Sequence, residues 1–202
     1  MKLVLLSALM LAALPAAAAN TAAVGQPAPA FSVTDTGGKA VSLADFKGKT
    51  VVLEWVNPGC PYVRKHYDSA NMQATQKGAT GGGLVWLAVN STAQGHSDYK
   101  KPADMAAWMQ QQKASATATL MDSDGKVGKA YGARTTPHMY IVDAKGTLAY
   151  AGGIDDKPTS NPADVKTAKN HVNAALADIA AGKPVAQAAT RPYGCSVKYS
   201  DG

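Results

Sequence analysis

Thr50-Val51-Val52-Leu53-Glu54-Trp55-Val56-Asn57-Pro58-Gly59-Cys60-Pro61-Tyr62-Val63-Arg64-Lys65-His66-Tyr67 joins a β-rich run to a helix through a turn that carries a cysteine. Val51 to Trp55 are β-branched or bulky and apolar except for Glu54, and Asn57-Pro58-Gly59 ends the run. Pro61 suits the first turn of a helix, where its missing N–H has no partner to lose, and from there the pattern predicts a helix to about Gln76. Cys60 therefore stands at a helix N-terminus. Unpaired backbone N–H groups there carry partial positive charge and favour thiolate over thiol, and Arg64, one turn on, adds to the effect. A stabilised thiolate leaves readily from a disulfide and supplies more nucleophile near neutral pH. A strand-to-helix junction also accommodates a buried, inert cysteine.

Outward from this junction the chain alternates strands and helices. Phe31–Thr34 and Val41–Leu43 flank the turn residues Asp35–Gly38 and read as a hairpin. Leu84–Val89 is an almost wholly apolar strand, as expected where both faces of a sheet are covered. Pro102 opens a helix whose Met105, Trp108, Met109 and Gln112 share one face, a stripe that reads as core packing. Thr119–Met121 is a short strand, and Lys126–Tyr131 a short helix ending at Gly132. His138–Val142 and Leu148–Ala151 form a second hairpin around Asp143–Gly146. Asn161, Pro162 and Asp164 open a long helix whose apolar Val165, Ala168, Val172, Ala175 and Ile179 run until Gly182 and Pro184. Val185–Gly202 shows no periodicity and is expected to be irregular. This order implies one α/β domain, a mixed β-sheet with helices on both faces and an N-terminal β-hairpin.

Composition supports a packed domain: 202 residues are 46% hydrophobic and only 17% charged. The net charge of +6 invites a nucleic-acid reading. The basic residues, however, nowhere form a run longer than two and are not interleaved with aromatics, so no binding face for nucleic acid emerges. Lys2, the apolar run Leu3–Leu14, Pro15 and Ala16–Ala19 follow the pattern of a secretory signal peptide. That run is too short to cross a bilayer core of about 30 Å. Residues 1–19 are thus expected to be a signal peptide, 20–184 the folded domain and 185–202 a C-terminal tail. The mature protein is expected to be periplasmic or secreted, without a membrane anchor. In such a compartment two cysteines, Cys60 and Cys195, make either one bond or one redox couple.

The Cys60-Pro61 helix start, the strand ending in Trp55, the opening hairpin, the run Tyr131-Gly132-Ala133-Arg134-Thr135-Thr136-Pro137 and the hairpin around Asp143–Gly146 together resemble the thioredoxin superfamily. The likeness is greatest to its redoxin branch of exported thioredoxin-like and peroxiredoxin-like proteins, and it extends over nearly all of the mature chain. It implies a thioredoxin-like three-layer sandwich with a cis Thr136-Pro137 bond beside the reactive cysteine. It also implies that the backbone of Thr136 pairs with an incoming peptide or mixed-disulfide partner.

Departures from the family narrow the chemistry. A thioredoxin-type dithiol needs a second cysteine three positions after Cys60, where this chain has Val63. A typical peroxiredoxin has Thr or Ser three residues before its cysteine and Pro seven before, where this chain has Asn57 and Leu53. The peroxide-activating arginine has no clear counterpart either, because its offset lands on Pro137, with Arg134 three further back. Copper-delivering relatives place a cysteine four after the first; here that residue is Arg64, and only His138 survives of the pattern.

Cys195, in Arg191-Pro192-Tyr193-Gly194-Cys195-Ser196-Val197-Lys198-Tyr199, thus decides what chemistry is left. Folded back over Cys60, it would serve as the resolving thiol; the same bond could instead be structural. Asp122-Ser123-Asp124-Gly125 is a polar turn, its glycine misplaced for a calcium loop. His66, His96, His138 and His171 offer no metal-ligand spacing. Glu54 is either a buried acid able to carry the proton of Cys60 or a rim carboxylate in contact with solvent. The expectation is an exported thiol-disulfide oxidoreductase acting on protein thiols or disulfides. In it Cys60 is the attacking thiolate, Cys195 the resolving cysteine and Thr136 with Pro137 the docking edge, with no cofactor or metal. A thiol peroxidase acting on small peroxides is the alternative within the same chemistry. Outside it stands a redox-inactive binding module with a structural disulfide, holding a partner or a metal through Cys60 alone or with His138.

Overall fold

A computed structural model describes residues 21–200, so the expected signal peptide lies outside the described residues. In chain order the strands are β1 (Ser32–Thr34), β2 (Ala40–Ser42), β3 (Val51–Trp55), β4 (Val85–Asn90), β5 (Ala118–Met121), β6 (Thr135–Thr136), β7 (His138–Val142), β8 (Leu148–Gly152) and β9 (Cys195–Ser196). The helices are α1 (Pro61–Asp68), α2 (Asn71–Gly81), α3 (Pro102–Gln111), α4 (Lys126–Tyr131) and α5 (His171–Ala180), with 3-10 turns at Leu43–Phe46 and Pro162–Lys166. Five strands form the main sheet in the order β5-β4-β3-β7-β8. β3, β4 and β5 run parallel to one another, whereas β7 is antiparallel to both of its neighbours, β3 and β8.

The central strands read as nearly continuous apolar runs because both sheet faces are covered. Along β3, Val52 and the following Val56 face a core with Val63, Tyr67, Met72, Met105, Met109, Val172 and Ala175, which come from α1, α2, α3 and α5. Val51, Leu53 and Trp55 face the opposite core, closed by Val127 and Tyr131 of α4 and by the hairpin β1–β2 through Val41. Helices thus lie on both faces of a mixed sheet, the thioredoxin-like three-layer arrangement. The hairpin also extends the β5 edge, since Asp35 bridges Leu120. Asp122 does not form a calcium loop: its carboxylate accepts the Val127 and Gly128 N–H groups at 3.0 and 2.8 Å and so caps α4.

Three expected elements differ from the observed ones. The helix expected from Pro61 to Gln76 is two helices, because Ala70 takes a left-handed conformation at φ 60°. The break is compensated by the Gln73 side chain, whose Nε2 donates to the Tyr67 carbonyl at 2.9 Å, and it lets Tyr67 and Gln76 reach the same buried carboxylate. The long helix expected from Asn161 is a 3-10 turn followed by α5. Asn170 caps α5, accepting from Asn173 N at 2.9 Å, and itself bridges Asp155. The expected irregular tail is docked over most of its length: Ala189 bridges Ala151 and Cys195–Ser196 pairs with Thr135–Thr136.

Candidate active site

Cys60 is the N-cap of α1, with Pro61 at the first helical position, and is 2% exposed. Its backbone is held by the turn that precedes it: Cys60 N donates to Asn57 O at 3.0 Å, and Gly59 N to Asn57 Oδ1 at 2.8 Å. Asn57 is itself braced by Thr92 and Asp98, each 3.4 Å from Nδ2. Val56, just before this turn, packs into the core, so the turn is fixed at the end of a buried strand. The Cys60 thiol reaches two partners, the Thr136 carbonyl at 3.0 Å and the Cys195 sulfur at 2.6 Å. The Thr136–Pro137 peptide is cis.

The tail brings Cys195 to this point by strand pairing: β9 lies antiparallel to β6 with Thr136 opposite Cys195. Gly194 makes the approach possible. Its φ is +136°, and a Cβ there would lie 2.0 Å from the Thr136 carbonyl oxygen, so no side chain fits. The same tail follows other glycines: Thr190 lies on Gly152, and Tyr199 on Gly125 and Gly128. Burial first, then the hydrogen bond and charge of Cys60, push the Cys195 thiol up to about 12, whereas Lys198 and the Tyr62 backbone N–H act in the opposite sense. With both cysteines free, Cys195 is thus held as a thiol beside Cys60.

Two residues upstream, Tyr193 enters a buried polar cluster. Lys65 and Asp155, with side chains 0% and 1% exposed, form an ion pair at 3.3 Å. The Tyr193 hydroxyl lies 3.2 Å from Lys65 Nζ, 3.0 Å from His66 Nε2 and 2.5 Å from Asp155 Oδ1. Burial raises the Tyr193 phenol well above its ordinary range, so it donates to Asp155. Burial also lowers His66 to about 4, so the ring is neutral; Nε2–H donates to Tyr193, and Nδ1 accepts from Asn71 at 2.9 Å.

The structure therefore brings Cys60, Cys195, Thr136 and Pro137 together, whereas the hydrogen bonds of Glu54 and His138 go to other groups. Glu54 is fully buried, not a rim carboxylate. It accepts from Trp86 Nε1 at 2.8 Å, Tyr67 OH at 2.9 Å and Gln76 Nε2 at 3.0 Å, three neutral donors, and burial raises it to about 7. His138 Nδ1 meets the Arg134 N–H at 3.3 Å and Tyr140 OH at 3.1 Å, and burial lowers the ring to about 3. Its hydrogen bonds are directed to these groups and not to sulfur. Among the described residues no cluster of three or more His, Cys, Asp or Glu is placed to hold a metal ion. Sequence reasoning missed Tyr193, Gly194, Lys65 and Asp155. The adjacent Tyr193-Gly194-Cys195 was the available signal, a glycine between an aromatic anchor and a thiol.

Comparison with known proteins agrees with this geometry. Residues 24–151 match the model of the AhpC/TSA family. The thiol-disulfide oxidoreductase ResA of Bacillus cereus is 27% identical over 125 residues, 62% of this chain and 66% of the relative, so just under two thirds of that protein is spanned. The thiol:disulfide interchange protein DsbE of Pseudomonas aeruginosa is 25% identical over 141 residues, 68% of this chain and 71% of the relative. The crystal structure of a hypothetical protein from Sinorhizobium meliloti 1021 superposes with a TM-score of 0.75 at 25% identity, covering 91% of this chain and 98% of that one. That coverage is larger than the family match. The thioredoxin domain of a thiol-disulfide oxidoreductase from Bacteroides vulgatus gives a TM-score of 0.52 at 27% identity, covering 73% and 98%. With a match over most of its length and a thioredoxin-like sandwich around Cys60, the chain belongs to the AhpC/TSA family.

Proposed function

We propose that the protein is an exported thiol-disulfide oxidoreductase in which Cys60 is the nucleophile and Cys195 the resolving cysteine. The observation that carries this reading is the contact of the two sulfurs, 2.6 Å apart, with one at the start of α1 and the other delivered by the tail. In this reading residues 1–19 are a signal peptide, 20–184 the catalytic domain and 185–202 the arm bearing the second thiol. Thr136 and Pro137 form the edge on which a partner's chain docks. The names of the ResA and DsbE relatives support the reaction class, and the signal-like N-terminus supports a periplasmic or secreted location.

The cycle balances on sulfur alone. The Cys60 thiolate attacks one sulfur of a partner disulfide, forms a Cys60 mixed disulfide and expels the partner's other sulfur as a thiolate, which takes up a proton. Cys195 then loses its proton and attacks Cys60 Sγ; the partner leaves as its second thiolate, and the Cys60–Cys195 disulfide remains. The partner is reduced by two electrons, the pair is oxidised by two, and the reverse sequence oxidises a partner dithiol. Once Cys60 is in the mixed disulfide, its charge and hydrogen bond no longer hold the Cys195 proton, and Lys198 and the Tyr62 N–H favour the new thiolate.

A trapping experiment tests the reading. Cys195→Ser should accumulate mixed disulfides on Cys60 with proteins of the exported fraction and with oxidised glutathione, and Cys60→Ser should abolish them. No adduct with either would sink the oxidoreductase reading. Hydrogen peroxide consumption in place of adducts would move the assignment to a thiol peroxidase.

A further inference from the structure

The chain buries Lys65 on the helix that carries Cys60. A buried ion pair is a poor source of stability, because desolvation offsets most of its attraction. Its geometry here is complete. Lys65 Nζ donates to Asp155 Oδ2 at 3.3 Å, to the Lys157 carbonyl at 2.6 Å and to Tyr193 OH at 3.2 Å, using all three of its hydrogens. Asp155 Oδ1 accepts from Lys157 N at 2.9 Å and from Tyr193. Every partner but one belongs to α1 or to the segment after β8; Tyr193 alone comes from the tail. Its ring stands edge-on to Tyr62, with centroids 6.0 Å apart, and the Lys65 ammonium lies 5.2 Å from the ring centroid. Tyr193 is thus tied to the first two turns of the helix whose N-cap is the nucleophile.

We propose that Tyr193 is the positioning residue that holds Cys195 against Cys60, with the Lys65–Asp155 pair and His66 as its socket. The inference rests on the oxidoreductase reading above and deepens it. Cys60, Lys65 and His66 share one short helix, so the distance between their side of the socket and the attacked sulfur is fixed. Gly194, the single residue between anchor and thiol, passes directly over the Thr136 carbonyl and sets the direction of the last step. The arrangement raises the effective concentration of Cys195 at Cys60. It also places the arm on the β6 edge, so a partner strand reaches Thr136 only when Tyr193 leaves its socket.

The test is Tyr193→Phe, which keeps the ring and its packing and removes only the hydroxyl. Equilibration of the full mature chain with reduced and oxidised glutathione gives the effective concentration of the Cys60–Cys195 pair. Loss of hydrogen bonds to charged groups should lower it about 10- to 100-fold. A merely structural tyrosine would not move this equilibrium once the variant is folded, which its urea midpoint reports. In a Cys195→Ser background, Tyr193→Phe should also speed iodoacetamide modification of Cys60 severalfold, because the arm covers that sulfur. An unchanged glutathione equilibrium in a folded Tyr193→Phe protein overturns the inference while leaving the oxidoreductase reading intact. Failure of the wild-type protein to form the disulfide in the same buffers overturns both.

Discussion

At the scale of single residues, the most telling group is the one that does not touch sulfur. Glu54 sits in the middle of β3, fully buried, with its two oxygens bonded to Trp86, Gln76 and Tyr67. Burial raises its carboxyl from 4.5 to about 7, more than the three donors lower it. The native state therefore binds this proton more tightly than the unfolded chain. The resulting stabilisation is full below about pH 4.5 and is lost as the pH rises through about 7. At about 1.4 kcal/mol per pH unit this amounts to roughly 3 kcal/mol. His66 and His138, lowered to about 4 and about 3, act in the opposite direction: they withdraw stability as the pH falls below about 6.5. Glu54→Gln isolates the carboxyl. A glutamine oxygen can accept from Trp86 and Gln76 while its amide donates to Tyr67, so the variant should fold. Its stability relative to wild type, from urea unfolding, should rise by about 3 kcal/mol between pH 4.5 and pH 7.5. A difference that stays constant across that interval would show that Glu54 does not titrate there.

At the scale of elements, the tail is held by approach as much as by attraction. Gly194 crosses the Thr136 carbonyl so closely that a methyl group has no room, and its φ of +136° is one that L-residues rarely adopt. Gly194→Ala should therefore dislodge β9 from β6 without disturbing the main sheet. The amide of Val197, which donates to the Arg134 carbonyl at 3.0 Å, should lose its protection from hydrogen exchange, while amides of β3 and β4 keep theirs. Persistent protection at Val197 would contradict this account. The same segment marks the limit of what the sequence reveals. The β3–Cys60–α1 junction is legible because burial, a turn and an N-terminal proline all act within a dozen residues. The break at Ala70 and the one between the 3-10 turn and α5 are not, since neither carries Gly or Pro: Gln73 and Asn170 determine them through contacts that local periodicity does not encode. The docking of the tail is a long-range pairing between Thr136 and Cys195, and only the glycine beside the cysteine betrays it locally. Of the candidate site, Cys60, Cys195, Thr136 and Pro137 could be named from sequence, whereas the Tyr193 socket depends on Asp155, which no spacing connects to Lys65.

At the scale of the whole molecule, the question is what the second cysteine does to stability. Apart from the sulfurs, the arm is docked through β9, Tyr193 and Tyr199. A Cys60–Cys195 bond then stabilises chiefly by restricting the unfolded chain. For thiols 135 residues apart the chain-entropy model allows about 5 kcal/mol. By linkage, whatever the bond adds to folding makes the native couple more reducing than the same pair in the unfolded chain, at about 30 mV for each 1.4 kcal/mol. A bond with the full effect resists reduction and behaves as a structural one; a cycling couple must keep its reduced form competitive. The hydrogen bond from the Cys60 thiol to the Thr136 carbonyl, which a disulfide cannot make, stabilises that reduced form. We therefore expect the oxidised protein to exceed the reduced one in unfolding free energy by about 1–3 kcal/mol, short of the entropic limit. Urea unfolding of the two forms, with their near-UV circular dichroism compared beforehand to verify a common fold, measures the difference directly. A gap of about 5 kcal/mol, with a reduction potential below about −300 mV, would make the bond a staple and remove the basis for turnover.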